Sequence, residues 1–443
     1  MKKMLASILI VCLAFLLLAG CSGGPTTTQT TAPSASSTTS TSATTTEAPK
    51  EVTLDFWYWE DSVDQEKNIY AERWAEYAKG TGISVNFEGY ASSSVMHEKL
   101  IPALAAGVGP DVFGTTPAWI PELVSLDALQ DMTEYMKNWE SFASKDVGPG
   151  ILELCRANQD GYYCMPWNVV VLYLYCRVDL FKAAGIDYPK TMDEFYAACE
   201  KLTKDTNSDG QIDQYGFAMR GAAGGHTSWA SLVLNADPKA SYLTADGKPG
   251  FNSQAVIDAN QKYIDLYKKG YCPPSAITDG MQGISQNFTT GVAAMFSHHV
   301  GSYNTIVKAV GEANVKVIPM PASASGNRFI TSDPSTISAN AASKDVDAAM
   351  KFMEFLVAPE TVEERAKVLG RFPWQESLLK DPIWHSTQAL DVSTTFVGQS
   401  IAPPVIASAS DWTNNLFPQT LQRALQGEIT SAEMIKILAD GLY

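Results

Sequence analysis

Residues 51–90 read EVTLDFWYWE DSVDQEKNIY AERWAEYAKG TGISVNFEGY, and their patterning decides the fold. Val52 to Trp59 alternates and is rich in β-branched and aromatic side chains, as a strand is. From Asp64 to Lys79 the period changes: Ile69, Trp74 and Tyr77 fall at helical spacing with charges between them. Gly80 and Gly82 end that helix, and Ile83 to Phe87 resumes a strand. Met96 to Ala106 predicts a second helix, and Asp111-Val112-Phe113 a short buried strand. Strand, helix, strand, helix, strand is the pattern of an α/β domain on a mostly parallel sheet.

Upstream, the chain reads as an export and tethering segment. Lys2 and Lys3 precede an apolar run, Ile8 to Leu18, too short to cross a bilayer comfortably. Ala19 and Gly20 then supply the small residues of a cleavage site. Leu18-Ala19-Gly20-Cys21 resembles the bacterial lipobox, whose cysteine is diacylated and becomes the new N-terminus; the alternative is ordinary cleavage with Cys21 a bystander. Each buried acyl methylene contributes about 0.8 kcal/mol, so such an anchor needs no transmembrane helix. Residues 1–20 are therefore read as a lipoprotein signal and 21–50 as the lipidated cysteine with its linker. Residues 22–49 are nearly all Ser, Thr, Ala, Pro and Gly, with no aromatic residue. They cannot bury enough apolar surface to offset their ordering entropy, and form a tether reaching roughly 30 Å.

The remainder is long enough for two domains. Without Lys2 and Lys3 the 32 basic residues become 30, against 48 acidic ones, a net charge of −18. That balance argues against nucleic acid or anionic lipid as the main partner. Beyond Cys12 and Cys21, the five cysteines at 155, 164, 176, 199 and 272 leave at least one unpaired in a monomer, and Cys155 with Cys164 is the close pair that suggests a local bridge.

Further along, Gly161 to Met165 and Val169 to Cys176 predict strands, and Asp179 to Ala184, Met192 to Lys204 and 253–270 predict helices. Gly291 to Phe296 and Val315 to Ile318 predict strands, and Val346 to Ala358 an amphipathic helix. Several short segments in this order resemble the extracellular solute-binding proteins of ABC importers, in the family 1 sugar-binding group that includes maltose-binding protein. They are Leu54 to Glu60; Ala105-Ala106-Gly107 with Gly109-Pro110-Asp111-Val112; Met165-Pro166-Trp167 leading to Leu172-Tyr173-Leu174-Tyr175 and Asp179-Leu180-Phe181; Gly291 to Met295; and Ala348 to Phe355 followed by Leu356 to Glu360. Each is short, and their order and spacing carry the likeness over residues 51–443. Where the family usually has Asn after the tyrosine, this chain has Cys176, a departure that concerns a local turn.

The resemblance implies a type II two-lobe α/β fold: each lobe is a mostly parallel sheet flanked by helices, with a ligand cleft at the hinge. The first lobe is expected at 51–165 plus 315–360 and the second at 166–314 plus 361–443. It further implies a lipid-anchored receptor outside the cell membrane, monomeric and not an enzyme, that hands a carbohydrate (an oligosaccharide) to an ABC permease. No cofactor is required.

A sugar offers hydroxyls that need fixed donors and acceptors, and C–H faces that need flat apolar partners. Aromatic and polar residues near predicted strand ends therefore form the candidate ligand site, since open α/β sheets bind beyond the carboxyl ends of their strands. They are Trp59 and Glu60; Thr115, Thr116 and Trp119; Trp167 and Asn168; Trp229; His298 and Tyr303; and Arg371 with Trp374. Each tryptophan taken alone also reads as core packing, and Asp111 reads as structural. His298 and His299, as strand neighbours, are expected on opposite faces, which argues against a paired metal site.

Asp205, Asn207, Asp209, Gln211 and Asp213 place oxygen-bearing side chains as in the first part of a calcium loop, with Gly210 at its sixth position. Position 12 is Gly216 where a bidentate Glu belongs, so the expected structural calcium needs a distant carboxylate, and an Asx-rich turn is the alternative. No Gly-Lys-Ser/Thr phosphate loop is present, so an importer's ATPase would be another chain. Competing functions are a receptor for a polyol phosphate or polyamine, a glycosidase built on two carboxylates, and a polysaccharide adhesin with an open groove.

Overall fold

The computed structural model describes residues 51–59, 73–143, 146, 154–157, 159–332, 334–369, 373–375 and 377–442. The signal segment, Cys21, the linker, Glu60 and Arg371 lie outside these residues.

Two sheets organise the chain from Pro49 onward. The first has the order β2–β1–β3–β11–β4, formed by Ile83–Tyr90, Val52–Trp59, Val112–Thr115, Ser335–Ala339 and Met165–Asn168. β1 runs parallel to β2 and β3, whereas β11 is antiparallel to β3 and β4. The alternation read in β1 is real: Leu54, Phe56 and Tyr58 are buried, and their neighbours face outward. Phe56 meets Trp74, Phe87, Trp167 and Phe352 at ring-centroid separations of 5.6–6.4 Å. Phe352 belongs to the helix Val346–Val357, whose Ala349, Met350, Met353 and Leu356 complete the stripe that covers this sheet. β4 pairs with β11 through a register shift beside Pro166, which has no N–H to give the ladder.

The second sheet has the order β10–β5–β9–β6, formed by Val315–Pro319, Tyr173–Arg177, Ala293–His298 and Tyr215–Ala218. β6 and β9 are parallel, and β5 lies antiparallel to both its neighbours. Tyr173 to Cys176 are fully buried, so this strand reads as an unbroken apolar run. Cys176 sits inside it opposite Met295 and Lys316, and makes no turn there.

Strand pairing differs from the expected lobe limits at two places, and core packing at a third. Residues 315–319 are expected in the first lobe, yet β10 pairs with β5 in the second sheet. Residues 166–168 are expected in the second lobe, yet they complete β4 in the first sheet. Trp374, also expected in the second, packs in the first core with Met136 and Trp139. Among the described residues, segments that cross between the sheets run side by side. Val171 bridges Ser332, Leu172 N–H donates to Thr331 O at 3.0 Å, and Ile401 N–H donates to Ile330 O at 2.8 Å. The suggested Cys155–Cys164 bridge is absent: all five described cysteines are buried free thiols, and the Cys164 thiol donates to the Cys155 carbonyl at 3.5 Å.

Candidate functional site

The carboxyl ends of β1, β2 and β3 face those of β6 and β9 across a cleft. Parallel pairing is what brings these ends together, because each strand leaves its sheet on the same side.

On the first-lobe wall Trp59 ends β1. Its ring stacks on Tyr58 at 4.7 Å and 15°, and meets Trp119 at 5.5 Å and 48°. Trp119 stands on the turn Pro117–Trp119 directly after β3, where a proline at the first position suits the tight backbone. Thr116 and Ser92–Ser94 add hydroxyls to this wall, and Ser92 also caps the helix Ser93–Ala105 by accepting from Val95 N–H.

On the second-lobe wall stand Arg220, His226, His298 and His299. The glycine-rich stretch before His226 exists to admit Arg220. Gly224 has φ +87°, and a Cβ there would lie 2.3 Å from the guanidinium; one on Gly225 would lie 2.0 Å from the Arg220 carbonyl. Burial first, then the charge of Arg220, lowers His226 to about 3. Burial, His299 and Arg220 together hold His298 well below its ordinary value. Both are neutral imidazoles at neutral pH, each offering one donor and one acceptor. The Nδ1 of His298 is engaged by Ser302 Oγ at 2.7 Å, and that of His299 accepts from Gly301 N–H at 3.0 Å. No carboxylate lines the cleft among the described residues.

Of the expected residues, Trp59, Thr116, Trp119 and His298 line the cleft. The rest that are described do not. Thr115 is spent inside the first sheet on Thr336 Oγ1 and Ser338 Oγ at 2.8 and 3.0 Å. Asn168 is buried and donates to Tyr58 Oη. Trp167 lies in the first core with the Arg365 guanidinium 3.4 Å from its ring centre. Trp229 is fully buried because its helix, Gly225–Val233, is buried at every position; its indole N–H donates to Asn260 Oδ1 at 2.8 Å. Trp374 packs against Phe142 in the first core. The Tyr303 hydroxyl donates to Glu312, and its ring joins the second-lobe core. His298 and His299 are also corrected: their ring centres are 3.9 Å apart, because the chain leaves the strand at His298. The candidate set left out Ser92–Ser94, Arg220, His226, Thr413 and Asn414, which also line the cleft. Only Arg220 and His226, beside the glycine-rich stretch, carried any local signal.

The loop 205–213 folds as a series of Asx turns. Asp205 accepts from the N–H groups of Ser208, Asp209 and Gly210, Asn207 from that of Asp209, and Asp209 from that of Gln211. Asp213 takes the N–H and hydroxyl of Thr206 on its two oxygens. Gly216 lies in β6, where even a Cβ would strike Cys199 at 2.4 Å, so no ligand comes from position 12. Among the described residues no three His, Cys, Asp or Glu side chains converge to hold a metal ion. The six to eight oxygens that calcium takes would have to come in part from outside this loop.

Ser410, His97 and Glu122 beside Trp119 have the residue types of a hydrolase triad but not its geometry. Both Ser410 Oγ and Glu122 Oε2 face the same nitrogen, His97 Nε2, at 3.5 and 3.2 Å, whereas a proton relay uses the two ring nitrogens separately.

The model of the bacterial extracellular solute-binding protein family matches residues 60–363. The alpha-glucosides-binding periplasmic protein AglE of Rhizobium meliloti is 25% identical over 379 residues, which cover 79% of this chain and 80% of that protein. Lipoprotein LipO of Bacillus subtilis is 24% identical over 200 residues, 43% of this chain and 39% of that protein. The crystal structure of an ABC transporter solute-binding protein from Thermotoga lettingae, bound with α-D-tagatose, has the same fold. Its TM-score is 0.79 at 22% identity, over 88% of this chain and 98% of that one.

Proposed function

Because this chain belongs to the bacterial extracellular solute-binding protein family, a family of binding proteins and not enzymes, we propose that its interlobe cleft captures a neutral carbohydrate, an oligosaccharide, and hands it to the permease of an ABC importer. The observation that carries this reading is the pairing of two unlike walls. Trp59 and Trp119 offer indole faces to the C–H side of a sugar ring, and neutral His226 and His298 offer uncharged imidazoles to its hydroxyls. The names of relatives agree in kind: one binds alpha-glucosides, and another holds tagatose. The protein acts as a monomer held outside the cell membrane by a diacylated Cys21, as the Leu18–Cys21 motif and the lipoprotein relative suggest. No helix among the described residues is long and apolar enough to cross a membrane.

The test is calorimetric titration of the chain with mono- and oligosaccharides, a polyol phosphate and a polyamine. Saturable binding of one neutral sugar class, recovered intact, is the expected result. Binding of the phosphate alone, through Arg220, would replace the sugar reading. Incorporation of labelled fatty acid that is lost in Cys21→Ser tests the anchor.

A further inference from the structure

The helix Gly225–Val233 connects the second-lobe wall of the cleft to the crossing segments. It is buried at every position, yet Thr227, Ser228 and Ser231 bring three hydroxyls into its packing. A buried hydroxyl is costly unless it is bonded, and a hydrogen bond fixes direction where apolar packing does not. Each of the three has a partner. Thr227 Oγ1 donates to Gly224 O at 2.9 Å, across the turn that opens the helix. Ser228 Oγ is bonded to Ser297 Oγ, on the strand beside His298. Ser231 Oγ lies 2.8 Å from Thr331 Oγ1.

Thr331 stands on a crossing segment and is fully buried. On one side of it Ile401 N–H donates to Ile330 O at 2.8 Å, and Ser332 N–H donates to Ile401 O at 3.0 Å. On the other side the Thr331 carbonyl accepts from Leu172 N–H at 3.0 Å. The remaining polar groups of Thr331 turn to the helix. Its hydroxyl donates to Thr227 O at 3.2 Å, and its N–H donates to Ser231 Oγ at 3.4 Å. A hydroxyl has one proton to give, and that of Thr331 goes to a carbonyl, so Ser231 is the donor in the bond between the two hydroxyls. Thr227 and Ser231 are four residues apart and share one helix face. Three bonds from that face therefore close on one residue of the crossing segment.

His226 directly precedes Thr227 and lines the cleft. Its ring packs edge-on against Trp412 and Phe417, each at 6.0 Å. Where the first turn of the helix sits thus decides where this imidazole stands.

We propose that Thr331 is a positioning residue for the ligand site: its hydroxyl ties the first turn of the helix Gly225–Val233 to the crossing segment, and so sets the His226 imidazole in the cleft wall. This inference rests on the reading of the cleft as a ligand site. Crossing segments absorb the rotation when two lobes move on each other. Because Thr331 belongs both to the crossing ladder and to the anchor of the helix, the wall is placed relative to the hinge. A ligand then meets a group already in position and spends none of its binding free energy on ordering it. Loss of this hydroxyl corresponds to about a 3- to 10-fold weaker affinity.

The experiment compares wild type, Thr331→Val, Thr331→Ser and Ser231→Ala in the full chain. Valine keeps the shape of threonine and removes the hydroxyl; serine keeps the hydroxyl. The chain has five histidines, so the ring signals of nitrogen-labelled imidazoles can be assigned by single replacements. Without ligand, Thr331→Val should shift the ring signals of His226 and leave those of His97 and His385 in place. Thr331→Ser should restore the wild-type signals, and Ser231→Ala should shift them in the same direction as Thr331→Val. Sugar affinity should fall about 3- to 10-fold in Thr331→Val and recover in Thr331→Ser. Unshifted His226 signals in Thr331→Val, with only a lower unfolding temperature, would overturn the proposal and leave the bonds as core packing. If Thr331→Val does not fold, Ser231→Ala gives the same decision from the helix side. If no sugar in the panel binds, the carbohydrate reading fails, and the ligand-free His226 signals still decide the role of Thr331 by themselves.

Discussion

The Tyr58 ring lies 4.7 Å from that of Trp59 and 15° from parallel, while its hydroxyl donates to Ser335 Oγ at 2.9 Å. The same oxygen accepts from Asn168 Nδ2. Ser335 and Asn168 are the ends of β11 and β4 from which two of the crossing segments depart. The indole on the first wall is thereby seated on a residue bonded to the start of the hinge.

Tyr58→Phe keeps the ring and removes both bonds. It should lower stability by about 1–3 kcal/mol, because Asn168 and Ser335 are left without this partner in a buried place. Ligand affinity should fall only a few-fold. Chemical denaturation and calorimetry on one preparation check the two numbers together.

The tryptophans divide into two groups that one substitution series separates. Trp59→Ala should weaken sugar binding on the order of 10- to 100-fold, the loss of a stacking face, and Trp119→Ala should add a stability loss, because that ring is also buried in the first-lobe core. Trp229→Ala should instead destabilise the fold by about 3–5 kcal/mol, since it empties a core site and strips Asn260 of a donor. Direct affinity loss without a stability loss at Trp229 would place it in the cleft, against its full burial.

Acid should unfold the protein through its buried imidazoles. His226 is lowered to about 3 in the fold, against an ordinary value of 6.5. Between those values an unfolded chain binds a proton that the folded protein refuses. Stability is therefore full above about pH 6.5 and falls as the pH drops toward 3, at up to about 1.4 kcal/mol per pH unit for this group. His298, lowered in the same direction, adds to the slope. His226→Gln should flatten the profile, measured as unfolding temperature against pH.

Gly224→Ala should move Arg220. The added Cβ falls on a guanidinium that can swing away, but the φ of +87° remains strained for alanine. A stability loss of about 1–2 kcal/mol is expected from that conformation. A change in ligand preference, seen by titration, would come from the displaced cation.

Local periodicity was legible in the sequence wherever one chemical pattern sufficed. The alternation of Val52 to Trp59, the helical stripe of Val346 to Val357 and the apolar run through Tyr175 each name their element, because burial on a strand or helix face repeats with that element's own period. Trp59 and Trp119 were legible as cleft-lining residues for a related reason: each closes or follows a strand of a parallel sheet, and parallel pairing sends those ends to one side. Trp167 and Trp229 had the same local setting and a different fate. Arg365, about two hundred residues along the chain from Trp167, covers its ring, and Asn260 receives the Trp229 indole from another helix. Neither partner leaves a mark near the tryptophan it buries. The return of β10 to the second sheet, the meeting of His298 with His299, and the approach of Ser410 to His97 are likewise products of tertiary structure. Sequence alone therefore determined which of the described segments are strands and helices, since those depend on neighbours along the chain. Only the folded chain decided which aromatic rings line the cleft and which polar groups stand opposite them, since that depends on what packs from far away.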